Sequence, residues 1–222
     1  MGYKLTRQDL TRDLYIAFYD ARRHKANMSY VARFDRDLHR NIEHLCDSLI
    51  TRSYQPKPSK CFIIEYPKKR EVFAAQFIDR VVHHLYFNYT HELFERTFIQ
   101  DTYSCIKERG THYGINRLAS HIRQESCNYQ NPCYILKLDI RGYFMHIKRE
   151  RLQEIASNSL RAMQTHRISK GRPETWEEVI DSDFLLWLTK EIILLDPKTN
   201  CELVGSKDNW NGLDRNKSLF FT

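Results

Sequence analysis

A chain of 222 residues with 41% hydrophobic content has enough apolar material for a core in one or two domains, which excludes a disordered tail. Its formal charge of +7 is uneven: residues 1–150 carry 25 Lys and Arg against 17 Asp and Glu, whereas residues 151–222 carry 10 against 11. A basic surplus gathered in one part of a chain favours a polyanionic partner, nucleic acid above all, through counterion release.

In chain order, Thr6 is placed to cap a helix running through Asp9, Leu14, Ile16 and Phe18. Ser29 is placed to cap a longer helix whose Val31, Phe34, Leu38, Ile42, Leu45 and Leu49 follow helical spacing. Together they predict a helical N-terminal layer. Pro56 and Pro58 then force extended backbone. Cys61–Glu65 and Glu71–Ala74 read as the arms of a β-hairpin with Pro67, Lys68, Lys69 and Arg70 at its tip. Phe77, Val81, Val82, Leu85, Tyr89 and Leu93 give an amphipathic helix, Asp101–Gly110 a loop, and Ile115, Leu118 and Ile122 the start of another helix.

Cys133–Leu138 alternates apolar residues and reads as a buried strand. Leu152–Leu160 is expected to be helical and to lead into a polar stretch with Gly171 and Pro173. A further helix runs through Phe184, Leu185, Leu188, Ile192, Ile193 and Leu195 and is stopped by Pro197. Cys201–Thr222, with Trp210, Gly212 and Phe220, reads as a hairpin or irregular loop. The closing run Lys217-Ser218-Leu219-Phe220 has no stop signal, which suggests a cut through a larger fold.

The six cysteines form no C-x-x-C pair, and no signal peptide or long apolar run precedes them, which predicts free thiols, a cytoplasmic setting and no membrane. His83 and His84 are adjacent and would point about 100° apart on a helix, an arrangement unsuited to zinc.

Chemistry concentrates in Ile135-Leu136-Lys137-Leu138-Asp139-Ile140-Arg141-Gly142-Tyr143-Phe144. Asp139 would emerge at the end of the expected strand, within reach of solvent and a divalent ion. Gly142 lets the backbone turn with no Cβ in the way, and amides exposed in such a turn can hold a polyphosphate. Taken alone, an Asp there serves equally well as a helix cap. Likewise, Lys68, Lys69 and Arg70 would by themselves protect a strand edge, while Asp79 and Arg80 read as a structural capping or ion-pair unit.

Read together, these segments resemble bacterial reverse transcriptases of the group II intron and diversity-generating retroelement type over nearly the whole chain. The resemblance rests on Arg70–Ala75 with Phe77–His84, on Phe94–Ile99 with Asp101–Cys105 and Gly110-Thr111-His112, and on Lys137-Leu138-Asp139-Ile140 with Tyr143-Phe144, in the family's order. It implies an α+β fold: the helical layer and fingers hairpin in residues 1–132, and in residues 133–222 a partial palm that stops before the family's Tyr-x-Asp-Asp block. The fold would then be incomplete, since the chain contains no Asp-Asp pair.

The resemblance further implies two-metal nucleotidyl transfer that copies an RNA template from a DNA or RNA primer with deoxynucleoside triphosphates. Asp139 would be catalytic and would ligate Mg²⁺, or Mn²⁺ in its place, with the Ile140 carbonyl as a further ligand. Lys68, Lys69 and Arg70 would close on the triphosphate. Arg141, Gly142, Tyr143 and Phe144 would lie beside the nucleotide, with Phe144 gating the sugar and the Tyr143 ring read as a core aromatic. Gly110, Thr111 and His112 would meet the template, as a helix N-terminus suits phosphate. A gene-diversifying subclass would add a small basic accessory protein as partner. The alternative from another class is a non-catalytic module that binds structured RNA.

Overall fold

The computed structural model describes residues 2–166, 174–213 and 218. Gly171, Pro173, Phe220 and the closing run apart from Ser218 lie outside the described residues. Among the described residues the fold is mixed α+β, mainly helical with one three-stranded sheet. Two compact units make it up, residues 1–90 with 142–222, and residues 91–141.

In the larger unit, α1 (Arg7–Arg22) begins at the expected cap, where the Thr6 hydroxyl accepts from the Asp9 amide at 3.1 Å. Such a cap satisfies one of the orphan donors of the first turn. The single helix expected from Ser29 is instead two, α2 (Ser29–Arg36) and α3 (Leu38–Ile50), and Ser29 is the first helical residue rather than the cap. Asp37 leaves helical geometry at φ −115°, ψ 37°. The break frees carbonyls, and the Asn41 side-chain amide donates to Phe34 O at 2.9 Å to satisfy one of them.

Leu10, Leu14 and Phe18 of α1 meet Val31, Phe34, Ile42, Leu45 and Leu49 in one core. The rings of Phe18, Phe34 and Phe77 form its centre, with centroids 5.3–6.0 Å apart in one stacked and two edge-on contacts. Such pairs add roughly 0.5–1.5 kcal/mol each beyond the area they bury.

The hairpin forms as expected. β1 (Ser59–Ile64) and β2 (Arg70–Ala74) pair antiparallel, with Cys61 opposite Phe73 and Ile64 opposite Arg70. α4 (Phe77–Glu95) follows at once and sends Phe77, Val81, Val82 and Leu85 into the core. Asp79, in its first turn, is 2% exposed. Its carboxylate accepts from the Tyr54 hydroxyl at 2.7 Å and from the Lys57 amide at 3.2 Å, so the strand-entry segment is tied to the helix that follows the hairpin. Burial raises the Asp79 pKa, against the pull of these two donors. Asp79 and Arg80 do not pair with each other: the Arg80 Nε donates to Ala75 O at 2.9 Å.

The expected hairpin or irregular loop over Cys201–Thr222 is corrected at its first three residues, while the described residues 204–213 are irregular apart from one short turn. β3 (Cys201–Leu203) joins β1 in parallel and gives the order β2-β1-β3. Backbone bonds from Ser59 N to Asn200 O and from Val204 N to Cys61 O hold it, and a short 3₁₀ turn over Lys207–Trp210 comes next.

α6 (Arg149–Met163) packs on α8 (Ser182–Ile193). Between them in sequence, α7 (Trp176–Val179) is closed by a Thr175–Glu178 capping box. Asp181 caps α8 through the Phe184 amide and also accepts from the Leu5 amide, each at 3.1 Å. The Arg52 guanidinium lies 5.4 Å and 4.9 Å from the ring centres of Phe184 and Trp187.

The smaller unit holds the last turn of α4, the Asp101–Gly110 loop and α5 (Thr111–Glu125), which buries none of its residues. Cys133–Leu138, expected as a buried strand, is corrected: it forms no regular structure and is exposed throughout, with Tyr134 at 95%. A strand exists only through a ladder with a neighbour, and no described segment pairs with it.

Leu85 is fully buried at the core end of α4. Leu85→Ala is expected to cost about 2–5 kcal/mol, and Ile16→Ala, at an exposed position of α1, under about 0.5 kcal/mol. Urea unfolding followed by circular dichroism measures both, and equal losses would displace the core from where the structure puts it.

Candidate nucleotide and nucleic-acid interface

The hairpin tip sets cations at the end of two paired strands. Lys68 and Arg70 are exposed, whereas the Lys69 ammonium donates to Asn211 O at 2.7 Å, which fixes that side chain to the backbone of the segment after β3. Tyr66, at the same tip, stands 87% exposed. Sequence reasoning misses it; the signal is an aromatic residue two positions before a basic run, the mixture that single-stranded nucleic acids favour.

Gly142 opens the next element with φ 63° and ψ 30°, the left-handed conformation that glycine adopts without a Cβ penalty. A 3₁₀ turn over Tyr143–Met145 follows. His146 closes it by returning its Nδ1 to Gly142 O at 2.9 Å, which requires the tautomer protonated at Nδ1. Phe144 is 81% exposed and Tyr143 52%, their ring centroids 5.3 Å apart and edge-on. The core role expected for Tyr143 is therefore corrected: the turn carries both rings outward, and no helix or strand among the described residues covers them to form a core.

In the smaller unit, Asp139, Ile140 and Arg141 close the exposed segment. Asp139 and Ile140 offer a carboxylate and a carbonyl, the hard oxygens that magnesium prefers. In kind these two oxygens fit Mg²⁺, which commonly leaves its other positions to water and substrate phosphates. Among the described residues no group of three or more His, Cys, Asp or Glu comes together as a metal site.

Gly110 holds the N-cap position of α5 with extended backbone and no side-chain cap, and Thr111 and His112 occupy the exposed first turn. The loop before it is pinned onto the helix. Asp101 accepts from Arg117 Nε and pairs with His121 Nε2 at 2.8 Å, Arg109 donates to Gln100 O and Thr102 O, and the Tyr103 ring lies against Gly114. A Cβ at Gly114 would come within 3.3 Å of that ring, so glycine permits the close approach. The Arg117 hydrogen bond, then that of His121, pulls the Asp101 carboxyl down to about 2.

All six cysteines are free thiols, and among the described residues no helix is long and apolar enough to cross a membrane. No family model and no curated protein matches the chain.

Because the folded-state pKa of Asp101 lies below the ordinary carboxylate value, its contribution is complete above about pH 4 and fades as pH falls toward 2. Amide protection across residues 101–121, the exchange rate referred to the intrinsic rate at each pH, is expected to fall over that interval in the unaltered chain. In Asp101→Asn protection should be low already at neutral pH, with no acid transition of its own; a transition that survived the substitution would assign the anchoring elsewhere.

Proposed function

We propose that the chain forms the fingers and the first part of the palm of an RNA-directed DNA polymerase. In this reading Lys68, Lys69 and Arg70 close on the triphosphate of an incoming deoxynucleotide, and Arg141, Gly142, Tyr143 and Phe144 line its sugar side. Asp139, with the Ile140 carbonyl, holds Mg²⁺, which would supply Lewis-acid stabilisation of the phosphoryl oxygens. Gly110, Thr111 and His112 receive the template, and the primer is DNA or RNA. The observation that carries the reading is Phe144: its ring is 81% exposed two residues beyond a left-handed glycine. A core aromatic has no reason to stand in solvent, whereas a ring that gates a sugar must be accessible to it.

The basic hairpin tip supports the same reading, as does the uncapped start of α5. A second reading, a structured-RNA-binding module without catalysis, draws on the same basic tip and the exposed rings of Tyr66 and Phe144 without asking Asp139 to hold metal. A small basic accessory protein is a partner under the gene-diversifying version of the first.

Two measurements separate these readings. With a deoxynucleoside triphosphate present, Mn²⁺ should broaden the amide resonances of Asp139–Phe144 in the 222-residue chain, and Asp139→Asn should remove that broadening. Broadening that persists in Asp139→Asn would end the metal-ligand role and leave the binding module. In a chain that also carries a Tyr-x-Asp-Asp turn, Phe144→Ala should raise ribonucleotide use relative to deoxyribonucleotide by at least about tenfold, through removal of a steric penalty of several kcal/mol. Tyr143→Phe should leave the ratio nearly unchanged. An unchanged ratio in an active Phe144→Ala enzyme would exclude the sugar gate.

RNA binding by the chain is expected to weaken steeply with salt. Reversal of Lys68 or Arg70 to Glu should lower the slope of log affinity against log salt by about 0.7 for each single-strand phosphate that the variant no longer neutralises. Fluorescence anisotropy measures the slope, and a flat salt response would rule out phosphate recognition by the tip.

A further inference from the structure

At the root of the hairpin, away from its tip, lies an open groove of about 340 Å³ between α2, the start of α3, the strand-entry segment and the first turn of α4. Sites for small ligands commonly span roughly 300–1,000 Å³. The floor is aromatic and apolar, made by the nearly buried Phe34 and Phe77 with Ile78. The rim is polar. Arg33, Asp37 and Lys57 are exposed there, and their side chains make no hydrogen bond or close ion pair among the described residues, although the Lys57 charge acts on the Asp79 carboxyl that its amide also meets.

The remaining polar groups are half committed. Asn41 spends its amide N–H on Phe34 O, and Gln76 spends its own on Pro58 O at 3.2 Å, so each keeps its carbonyl oxygen available as an acceptor. Tyr30 forms one wall, 39% exposed. Its ring is held in place, with the Arg80 guanidinium 5.2 Å from its centre and the Phe77 ring 5.9 Å away. Arg80 is itself fixed by its bond to Ala75 O. The groove thus offers a braced aromatic face, two cations on its rim, and acceptors from an amide pair and a carboxylate.

We infer that this groove binds one unstacked nucleotide of a single-stranded nucleic acid, with its base against Tyr30 over the Phe34–Phe77 floor and its phosphate between Arg33 and Lys57. Every base has a π-face for the ring to receive, and its exocyclic amino groups suit acceptors at Asn41, Gln76 and Asp37. Arg36 stands three residues from Arg33 in the last turn of α2 and is a neighbour of it on the helix surface, which extends the positive rim beyond the groove and favours a strand over a free nucleotide. The inference rests on the nucleic-acid reading above and adds to it a contact point separate from the hairpin tip and from Asp139.

The test uses the 222-residue chain and fluorescein-labelled oligonucleotides of about twelve nucleotides, within the range that single-strand sites cover. Parallel arms contain RNA, DNA, an abasic strand and competing nucleoside monophosphate. Arg33→Glu with Lys57→Glu is expected to weaken binding at least about tenfold, and Tyr30→Ala by roughly five- to a hundred-fold, the range of one stacking contact. Tyr30→Phe keeps the ring and should bind as the unaltered chain does. Because Tyr30→Ala also removes packing from Phe77, photocrosslinking of 4-thiouridine RNA to the unaltered chain supplies a second readout, with the adduct expected on Tyr30 or its α2 neighbours.

Normal binding by the groove variants, with loss in Lys68→Glu and Arg70→Glu, would overturn the groove and leave the nucleic-acid reading standing. Equal binding of the abasic strand would overturn the base contact, and a monophosphate that competes as strongly as the strand would overturn the strand. Failure of the unaltered chain to bind any oligonucleotide would overturn both the inference and the reading beneath it.

Discussion

The buried carboxylate of Asp79 governs how the larger unit is put together. It receives the Tyr54 hydroxyl and the Lys57 amide, so the backbone that enters β1 and the helix that leaves β2 meet at one point. A two-stranded hairpin is marginal alone; this one is closed at its root by a charge-assisted pair of hydrogen bonds and by α4, whose Phe77, Val81, Val82 and Leu85 sit in the helical core. The direction in which the hairpin carries Lys68 and Arg70 therefore follows from a group at the opposite end of the strands. The same root supplies Lys57 and Gln76 to the groove beside Tyr30. Removing the carboxylate would leave a buried tyrosine hydroxyl and an amide without their acceptor, at about 1–3 kcal/mol for each unsatisfied group.

The two units differ in what holds them. The larger has a closed aromatic and aliphatic core around Phe18, Phe34 and Phe77. The smaller relies on polar ties: Asp101 to Arg117 and His121, Arg109 to two loop carbonyls, and the hydroxyl of Ser126 to the Tyr129 amide. Ties of this kind fix local geometry but contribute little to global stability when exposed. Local opening at low free energy is expected in such a segment, and it is the one that carries Asp139.

Legibility followed the range of the forces involved. Thr6 and its helix, the hairpin, α4 and the start of α5 were readable because caps, turn residues and helical periodicity act over a few neighbours. The break at Asp37 was not, because neither glycine nor proline marks it; packing of Phe34 and Ile42 onto the same core selects it. Residues 133–138 have the period of a strand without a strand's neighbour, and alternation by itself does not supply one. At the candidate site, the left-handed Gly142 was legible in the residue itself, whereas the exposure of Tyr143 and the wall formed by Tyr30 depend on packing that single residues do not encode.

β3 has a consequence for the order in which the molecule is made. It lies beside β1 in parallel, yet the finished hairpin precedes it by ~130 residues, so on a ribosome adding about 5–20 residues per second the hairpin is complete roughly six to twenty-six seconds before its third strand exists. Throughout that interval β1 presents the unpaired donors and acceptors of Ser59, Lys60 and Cys61 on the side that β3 later takes. The nascent chain is thus most exposed to mispairing with another copy of itself before residue 201 emerges, and slowing translation across the intervening helices would lengthen that exposure without altering a single contact of the finished fold.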